Sequence, residues 1–183
     1  MKVRVMITDG SQPIGNGIGP SLEARDVLWV LMNHKKAPSD LRDKSLTMAG
    51  EIFEMVGKAP KRSGKRLAGY LLKSGTAYKK MREIIKAQGG KIFNPSKIKL
   101  GKYKYNVKSK KMGRVSHIDN KQISRLSRVA GAPRDHGAGL YLYKHNGDYV
   151  KKGESLYTIY SDSTQKLSIA KMLAEKDSGF FVN

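Results

Sequence analysis

The chain has 183 residues, of which 36 are Lys or Arg and 15 are Asp or Glu, so its formal net charge at pH 7 is +21. The absence of cysteine excludes disulfide bonds, Cys-ligated metal or iron–sulfur sites and a thiol nucleophile. Such an excess of positive charge favours anionic partners, whether nucleic acid, acidic lipid or phosphorylated small molecules. Since no apolar run is long enough for a signal peptide or a membrane span, we expect a cytoplasmic protein without a membrane partner.

The first half of the chain is predicted to open with a strand and to continue as helices. Residues Val3 to Ile7 are rich in Val and Ile and end at a Thr-Asp-Gly turn, which is typical of a short buried strand. Apolar residues then recur at helical spacing, with prolines and polar caps before the predicted starts and glycines behind several ends. The predicted helices are Pro20 to Asn33, Asp40 to Val56, Lys65 to Leu72 and Thr76 to Gln88.

The pattern changes at Asn94-Pro95-Ser96, after which Tyr, Val and Ile lie in short alternating runs broken by glycines, as in β-strands. We therefore predict a second, β-rich domain with flanking helices, the first of them capped by Asn120. Its predicted helices and clearest strands are Asn120 to Val129, Thr164 to Glu175, Gly139 to Tyr143 and Ser155 to Tyr160. The fold class expected for the whole chain is α+β.

A single strand followed by four helices is an incomplete arrangement, because a strand's edges need pairing and a parallel sheet needs further strands. The first half is therefore interpreted as part of a larger α/β domain. The alternative is that Val3 to Ile7 pairs with the second domain or across a dimer.

A glycine-rich loop, Gly15-Asn16-Gly17-Ile18-Gly19, lies between the predicted first strand and the first helix. Free N–H groups at a helix start favour an anion, and the loop superficially resembles a dinucleotide-binding fingerprint. Its spacing is G-x-G-x-G, however, and no second strand with an acidic ribose ligand follows. We interpret the glycines as permitting a tight turn and close helix packing.

Side chains suited to acid–base or metal chemistry are few. The histidines His34, His117, His136 and His145 show no i, i+4 pairing and no nearby carboxylate pair, so a metal site is not predicted. In the Arg134-Asp135-His136 cluster the Asp could orient the imidazole, but no nucleophile lies beside it in the sequence. We interpret this cluster as a structural or interface loop.

The strongest electrostatic feature is the stretch between Glu83 and Asp119, which contains ten Lys or Arg and no acid. Its basic residues are interleaved with Phe93, Tyr103 and Tyr105, a combination that can serve single-stranded nucleic acid through phosphate contacts and base stacking. The other interpretation, which the residue types favour, is a solvated basic face whose aromatics point into the core. An RNA- or single-stranded-DNA-binding module using Lys91 to Lys111 is kept as the alternative function.

The segment from Ile7 to Leu28, ITDGSQPIGNGIGPSLEARDVL, resembles the T-D-x-x-Q-P-x-G…G…L-E-x-R-x-x-L motif of the thymidine and pyrimidine nucleoside phosphorylase family. Within that family it is most similar to the archaeal-type AMP phosphorylases. Further similarity, to the family's C-terminal domain, lies in Gly113 to Val115, Ile118 to Asn120, Arg128 to Pro133, Gly137 to Gly139 and Gly147 to Glu154. The chain thus resembles the C-terminal portion of such an enzyme.

The resemblance implies a phosphorolytic pentosyltransferase. In AMP-type members orthophosphate, the co-substrate, attacks C1′ of a nucleoside 5′-monophosphate and releases the base and ribose 1,5-bisphosphate for nucleotide salvage, without a cofactor. The implied architecture is a helical remnant of the α/β catalytic domain, residues 1–95, followed by a β-rich barrel-sandwich hybrid domain, residues 96–183. A homo-oligomer is also implied, and the apolar end Phe180-Phe181-Val182 favours docking over solvent.

The resemblance also limits which functional residues the chain can contain. In the family, the phosphate loop, the acid that protonates the leaving base and the Ser and Lys that bind the nucleotide precede the T-D-x-x-Q-P-x-G motif, at which this sequence begins. We therefore predict no catalytic residue and no metal ligand in the chain, and no activity of the chain alone. The residues carried over, as a loop beside the base pocket with a supporting role favoured over direct contact, are Asp9, Gly10, Ser11, Gln12, Pro13 and Gly15.

Overall fold

The computed structural model describes residues 3–183. Its helices are α1 Pro20–Leu31, α2 Ser39–Met55, α3 Gly64–Lys73, α4 Thr76–Ala87, α5 Asn120–Ala130 and α6 Thr164–Lys176. Its strands are β1 Gly17–Ile18, β2 Tyr103–Lys108, β3 Gly113–Ile118, β4 Gly139–Leu142, β5 Tyr149–Val150, β6 Ser155–Ser161 and β7 Phe180–Val182. No helix within this described range is both long and apolar enough to cross a membrane.

These elements divide between two compact units. The first contains the described residues up to Thr8 together with Asp26–Lys97, and the second contains Asp9–Arg25 together with Ile98–Asn183. The helices α2, α3 and α4 belong to the first unit, and all the described strands belong to the second. The loop that follows Thr8 therefore folds with residues that lie about a hundred positions later in the chain.

The fold class predicted from the sequence, α+β, is confirmed. All six predicted helices are present, and their ends lie within two residues of the predicted positions. The signals that located them act locally, since periodic apolar residues define the buried face and glycines end the helix. Gly75 and Gly89, which follow α3 and α4, adopt φ values of 76° and 78° that a residue with a side chain rarely adopts.

The strand predicted at Val3 to Ile7 is wrong. This segment forms no β-ladder with any described residue, and the Ile7 side chain is 99% exposed. A strand is stabilised by hydrogen bonds to a neighbouring strand, so an apolar alternating sequence cannot form one without a partner. The segment instead contacts α2 through an ion pair of Arg4 with Glu51, at 2.6 Å.

The second unit packs two antiparallel sheets and two helices around one core. The strand order is β1-β4-β6-β2 in the first sheet and β5-β3-β7 in the second, and neither closes into a barrel within the described residues. The apolar C-terminal residues form β7, where Phe181 pairs with His117 of β3 and the Phe180 ring stacks on Tyr157, 5.5 Å between centroids. Core side chains from both sheets and both helices include Val115, Ile118, Ile123, Leu126, Leu140, Tyr157, Ile159 and Ala170.

In the first unit, α2 and α3 approach each other at two glycines. A Cβ built on Gly64 would overlap the Gly50 carbonyl oxygen, so the two backbones can come this close only because neither residue has a side chain. Nearby, the Glu54 carboxylate accepts a 2.9 Å hydrogen bond from the Gly64 N–H at the start of α3. This bond satisfies one of the free donors at the helix start and joins it to α2.

Replacing Gly64 with Ala is expected to destabilise the first unit by about 2–3 kcal/mol, because the added methyl group forces α2 and α3 apart. Gly69, five residues later in α3, is the matched control, since a Cβ there meets no atom within 4 Å. Gly69→Ala should stabilise the helix by about 0.5–1 kcal/mol. Urea unfolding followed by the helical circular dichroism signal measures both, and equal effects of the two variants would contradict the close-packing argument.

Acidification should weaken the junction between α2 and α3. Hydrogen bonds from the backbone of Gly64 and Arg62 lower the pKa of the Glu54 carboxyl, with Arg4 adding a smaller effect. Because this pKa is lowered in the folded state, the stabilisation is present above the ordinary carboxyl pKa and is lost as pH falls through the lowered value.

We therefore expect Glu54→Gln to lower the urea midpoint at about pH 7 and to reduce its dependence on acid between about pH 7 and pH 3. Asp43→Asn, which removes an exposed carboxylate of the same helix paired with the adjacent Arg42, is the control. An acid dependence in Glu54→Gln equal to that of the parent chain would refute the assignment.

Candidate functional site

The loop from Asp9 to Gly19 is held on the first sheet of the second unit by backbone pairing. In β1, Gly17 pairs with Tyr141 and Ile18 pairs with Leu140 of β4. The Leu142 N–H donates a further 2.7 Å hydrogen bond to the Asn16 carbonyl. The predicted site loop is thus an extension of this sheet.

Four of the six predicted loop residues, Asp9, Gly10, Ser11 and Gln12, take part in identified hydrogen bonds. The Asp9 carboxylate accepts from the Ser11 N–H at 2.8 Å, and the Asn120 side chain donates to the Gly10 carbonyl at 2.9 Å. The Gln12 side-chain oxygen accepts from the Asn146 N–H at 2.8 Å.

Gly15 is buried and has a φ of 73°, which explains a glycine at that position, whereas Pro13 is half-buried and Ser11 is exposed. The structure therefore brings all six residues into one anchored loop. The groups that bind the loop, the Asn120 side chain and the Asn146 N–H, lie at the start of α5 and in the turn between β4 and β5.

That turn, His145-Asn146-Gly147-Asp148, supplies residues that the sequence analysis did not assign to the site. The Asn16 side-chain oxygen lies 2.9 Å from His145 Nε2. Since that oxygen only accepts, Nε2 carries the proton. The other ring nitrogen, Nδ1, is buried without a hydrogen-bond partner among the described residues, as is the Asn146 side-chain oxygen. The sequence predicted a turn here, but it contained no signal that the Asn146 backbone N–H meets Gln12 or that the His145 side chain meets Asn16.

The glycines of the loop permit close packing, as interpreted from the sequence. A Cβ on Gly19 would overlap the Ala138 carbonyl oxygen, and one on Gly139 would overlap the Ile18 carbonyl oxygen. The N-terminus of α1 is occupied by the chain's own acceptors, because Glu23 accepts from the Gly19 N–H at 2.9 Å and the His136 carbonyl accepts from the Ser21 N–H at 3.1 Å. These acceptors lie where a dinucleotide phosphate would bind.

The Arg134-Asp135-His136 loop, to which this carbonyl belongs, contacts two neighbouring helices. Its Asp135 carboxylate pairs with Lys166 of α6 at 2.6 Å, and the loop backbone supports the start of α1. Of the two roles predicted for this loop, structural or interface, these contacts support the structural one. No group of three His, Asp or Glu side chains within residues 3–183 is arranged to hold a metal ion.

A group of tyrosines lies on the outer face of the first sheet, next to the loop. The Tyr141 hydroxyl accepts from the Asn16 side chain at 3.4 Å, the Arg25 guanidinium lies 5.0 Å from the Tyr141 ring, and the Tyr143 ring meets Tyr141 edge-on at 5.2 Å. Burial raises the pKa of the neighbouring Tyr160 hydroxyl, and the adjacent Tyr143 raises it further, while Arg25 acts in the opposite direction. These rings form an apolar, hydrogen-bonded wall beside the loop.

The aromatic residues of the basic stretch are mostly engaged by the protein itself. The Tyr105 hydroxyl donates to Glu175 of α6 at 2.9 Å, and Lys171 lies 5.0 Å from the Tyr105 ring. Burial raises the pKa of that hydroxyl, as does the bond to Glu175. The Phe93 ring is covered by Arg82 at 5.3 Å, and only Tyr103 has an exposed ring, at 41%. This packing favours the solvated basic face over a stacking groove at Lys91 to Lys111.

Replacing Gln12 with Ala should free the loop, because it removes the acceptor of the Asn146 N–H and leaves that donor without its partner. We expect amide exchange of Asn146 and of the loop residues, measured by NMR, to rise about 3- to 10-fold. Gln165→Ala, at an exposed position of α6, is the control and should leave these amides unchanged. If loop exchange does not differ between the two variants, Gln12 does not anchor the loop.

Comparison with known proteins finds a family match in the C-terminal part of the chain. Residues 114–179 match the pyrimidine nucleoside phosphorylase C-terminal domain. This range contains the turn that anchors the loop and the whole of α5. The predicted similarity to that domain is thereby confirmed.

Whole-chain comparison extends the similarity to the loop. The chain is 48% identical over 168 residues to an AMP phosphorylase of Methanocaldococcus jannaschii, covering 92% of the chain and 33% of that protein. It is 46% identical over 168 residues to a putative thymidine phosphorylase of Legionella pneumophila strain Paris, covering 92% and 32%. A putative thymidine phosphorylase of Rhodopseudomonas palustris strain CGA009 is 46% identical over 183 residues, covering 100% and 35%.

The chain spans about a third of the length of these curated relatives. The relatives include proteins of Legionella and Rhodopseudomonas, so the similarity is not restricted to an archaeal type. By sequence, the chain belongs to the thymidine and pyrimidine nucleoside phosphorylase family and resembles the C-terminal portion of its members.

Proposed function

We propose that the chain works as the C-terminal portion of a phosphorolytic pentosyltransferase, which converts AMP or another nucleoside monophosphate and orthophosphate to free base and ribose 1,5-bisphosphate in nucleotide salvage. The observation that carries the proposal is the 48% identity, over 92% of the chain, to a protein named AMP phosphorylase. The sequence GSQPIGNGIGP of the anchored loop supports the AMP type within the family.

In this reaction the enzyme holds two anionic groups beside an oxocarbenium-like carbon and stabilises the departing base. The part we assign to this chain is the wall of the base pocket, formed by the loop Asp9, Gly10, Ser11, Gln12, Pro13 and Gly15. A wall of this kind must keep its shape while the base leaves. The loop is held in place by the hydrogen bonds to Gly10 and Gln12 and by the pairing of β1 with β4, which supports this role.

The architecture proposed for the whole enzyme follows the same resemblance. Residues 1–95 would belong to the α/β catalytic domain, as its helical remnant, and residues 96–183 would form the barrel-sandwich hybrid domain. We further propose a cytoplasmic homo-oligomer with orthophosphate as co-substrate and no cofactor. The half-exposed Phe181 on the edge strand β7 supports contact with another chain through this end.

The 183-residue polypeptide by itself is proposed to be inactive, because the family's phosphate loop and base-protonating acid precede the motif found at Thr8-Asp9. Purified chain incubated with AMP and orthophosphate should release no adenine above a protein-free control, as measured by liquid chromatography. Steady adenine release that depends on orthophosphate would refute this proposal.

Substrate type is tested on the native protein isolated from its source cells through peptides of this chain. We expect phosphate-dependent release of adenine from AMP to exceed release of thymine from thymidine. Thymidine phosphorolysis that is faster than AMP phosphorolysis would replace the AMP assignment while keeping the family. The absence of phosphorolysis of nucleosides and nucleotides alike would overturn the proposed function itself.

A further inference from the structure

The first unit carries an excess of positive charge that nothing in the phosphorolysis reaction explains. Between Glu54 and Asp119 the sequence has one acidic residue, Glu83, and that carboxylate pairs with Lys80. The remaining Lys and Arg side chains of this part of the first unit form no ion pair within the described residues. The exposed basic residues are Lys58, Lys61, Arg62, Lys65, Arg66, Lys73, Lys79, Lys80, Arg82, Lys86, Lys91 and Lys97.

The outer face of α3 combines these cations with an exposed aromatic ring. Arg66, Tyr70 and Lys73 follow each other at i, i+4 and i+7, so they form one row along the helix. The Tyr70 side chain is 67% exposed, and its hydroxyl has no hydrogen-bond partner within residues 3–183. Tyrosine usually places its ring against apolar neighbours, so a largely exposed ring in a row of cations requires another explanation.

A hollow of about 410 Å³ lies at the N-terminal end of this row. Its lining residues are Lys58, Ala59, Pro60, Ser63, Arg66, Leu67 and Tyr70. Cationic side chains at its rim, a serine hydroxyl and one ring face provide a place for a phosphate and an adjacent planar group. Gly69, beside Tyr70, leaves open space where a Cβ would lie, so a ligand can approach the helix surface there.

This combination of groups fits a single-stranded polynucleotide better than other polyanions. A phosphate backbone matches a row of cations, and bases that are not paired can stack on an exposed ring. In a duplex the bases are already stacked on each other, and in a lipid headgroup there is no planar base, so neither uses Tyr70. In the basic stretch after Lys91, Tyr105 and Phe93 are covered by Lys171 and Arg82. The third ring, Tyr103, is less exposed than Tyr70, at 41% against 67%.

We propose that the outer face of α3 binds single-stranded nucleic acid, with phosphates held by Lys58, Arg66 and Lys73 and a base stacked on Tyr70. This activity is distinct from phosphorolysis, and it requires only residues of the first unit. It accounts for both the unpaired cations and the exposed ring of this surface.

The test measures binding of the purified 183-residue chain to a fluorescent single-stranded RNA of about 12 nucleotides and mixed sequence, by fluorescence anisotropy. Titrations between about 50 mM and about 200 mM KCl give the salt dependence of the affinity. We expect binding at the lower salt concentration, and affinity that falls steeply as salt rises. A duplex of the same sequence should bind more weakly.

Two kinds of variant separate a specific surface from diffuse attraction. Lys58→Gln combined with Arg66→Gln should reduce the slope of log affinity against log salt by about 1.4, since about 0.7 is lost per phosphate contact to a single strand. The matched control is Lys121→Gln combined with Arg128→Gln, which removes the same charges from exposed positions of α5. The control should leave the slope unchanged.

Tyr70→Ala should raise the dissociation constant about 5- to 20-fold, whereas Tyr70→Phe, which keeps the ring, should bind as the parent chain does. Tyr149→Ala, at another exposed tyrosine, is the control for the loss of a surface ring. Circular dichroism establishes that each variant is folded.

The proposal is overturned if no binding is detected at about 50 mM KCl, or if both double variants weaken binding equally. Equal binding of Tyr70→Ala and the parent chain would also overturn it, as would stronger binding of the duplex. Binding to vesicles containing phosphatidylserine that depends on Arg66, without binding to the RNA, would show a membrane surface instead.

Discussion

The close approach of the loop backbone to β4 is the constraint on which the candidate site depends. At Gly19 and Gly139 a single added methyl group would overlap the carbonyl oxygen of the opposite strand or loop. With the two backbones in contact, β1 pairs with β4, and this pairing fixes the position of Asn16. Asn16 in turn bonds to His145 and Tyr141. The contacts of the Asn16 side chain therefore depend on the glycines, which let the two backbones meet because they carry no side chain.

Local signals in the sequence predicted the helices well but could not decide strand pairing. The α2 and α4 boundaries follow from apolar spacing and terminal glycines, which act within a few residues. Val3 to Ile7 has the local pattern of a strand, yet a strand requires a partner whose position the pattern does not encode. The cap of α5 was predicted at Asn120, but the side chain that accepts from the Lys121 N–H, at 2.8 Å, is that of Asp119. Either side chain is suited to that role, so residue type alone does not locate the cap.

The candidate site was predictable as a segment but not as a set of contacts. Its loop was found through a motif, whereas the bonding partners of Gln12 and Asn16 lie in a turn that is 134 and 129 positions away, at Asn146 and His145. Glycine and aspartate in that turn indicate chain reversal, which gives no information about the element that packs against it. Contacts of this range are set by the packing of the whole sheet, so they appear only once its strand order is known.

Tyr70 and Tyr105 show why residue type and neighbouring charge in the sequence do not determine what an aromatic ring does. Both lie in lysine-rich segments, but Tyr105 is on a strand against which α6 packs, and Glu175 of that helix accepts its hydroxyl hydrogen. Tyr70 lies on the outer face of α3 in a row with Arg66 and Lys73, and its side chain is 67% exposed. What covers an aromatic ring is therefore decided by the element that packs against it, and neither the residue type nor the neighbouring lysines in the sequence encode that element.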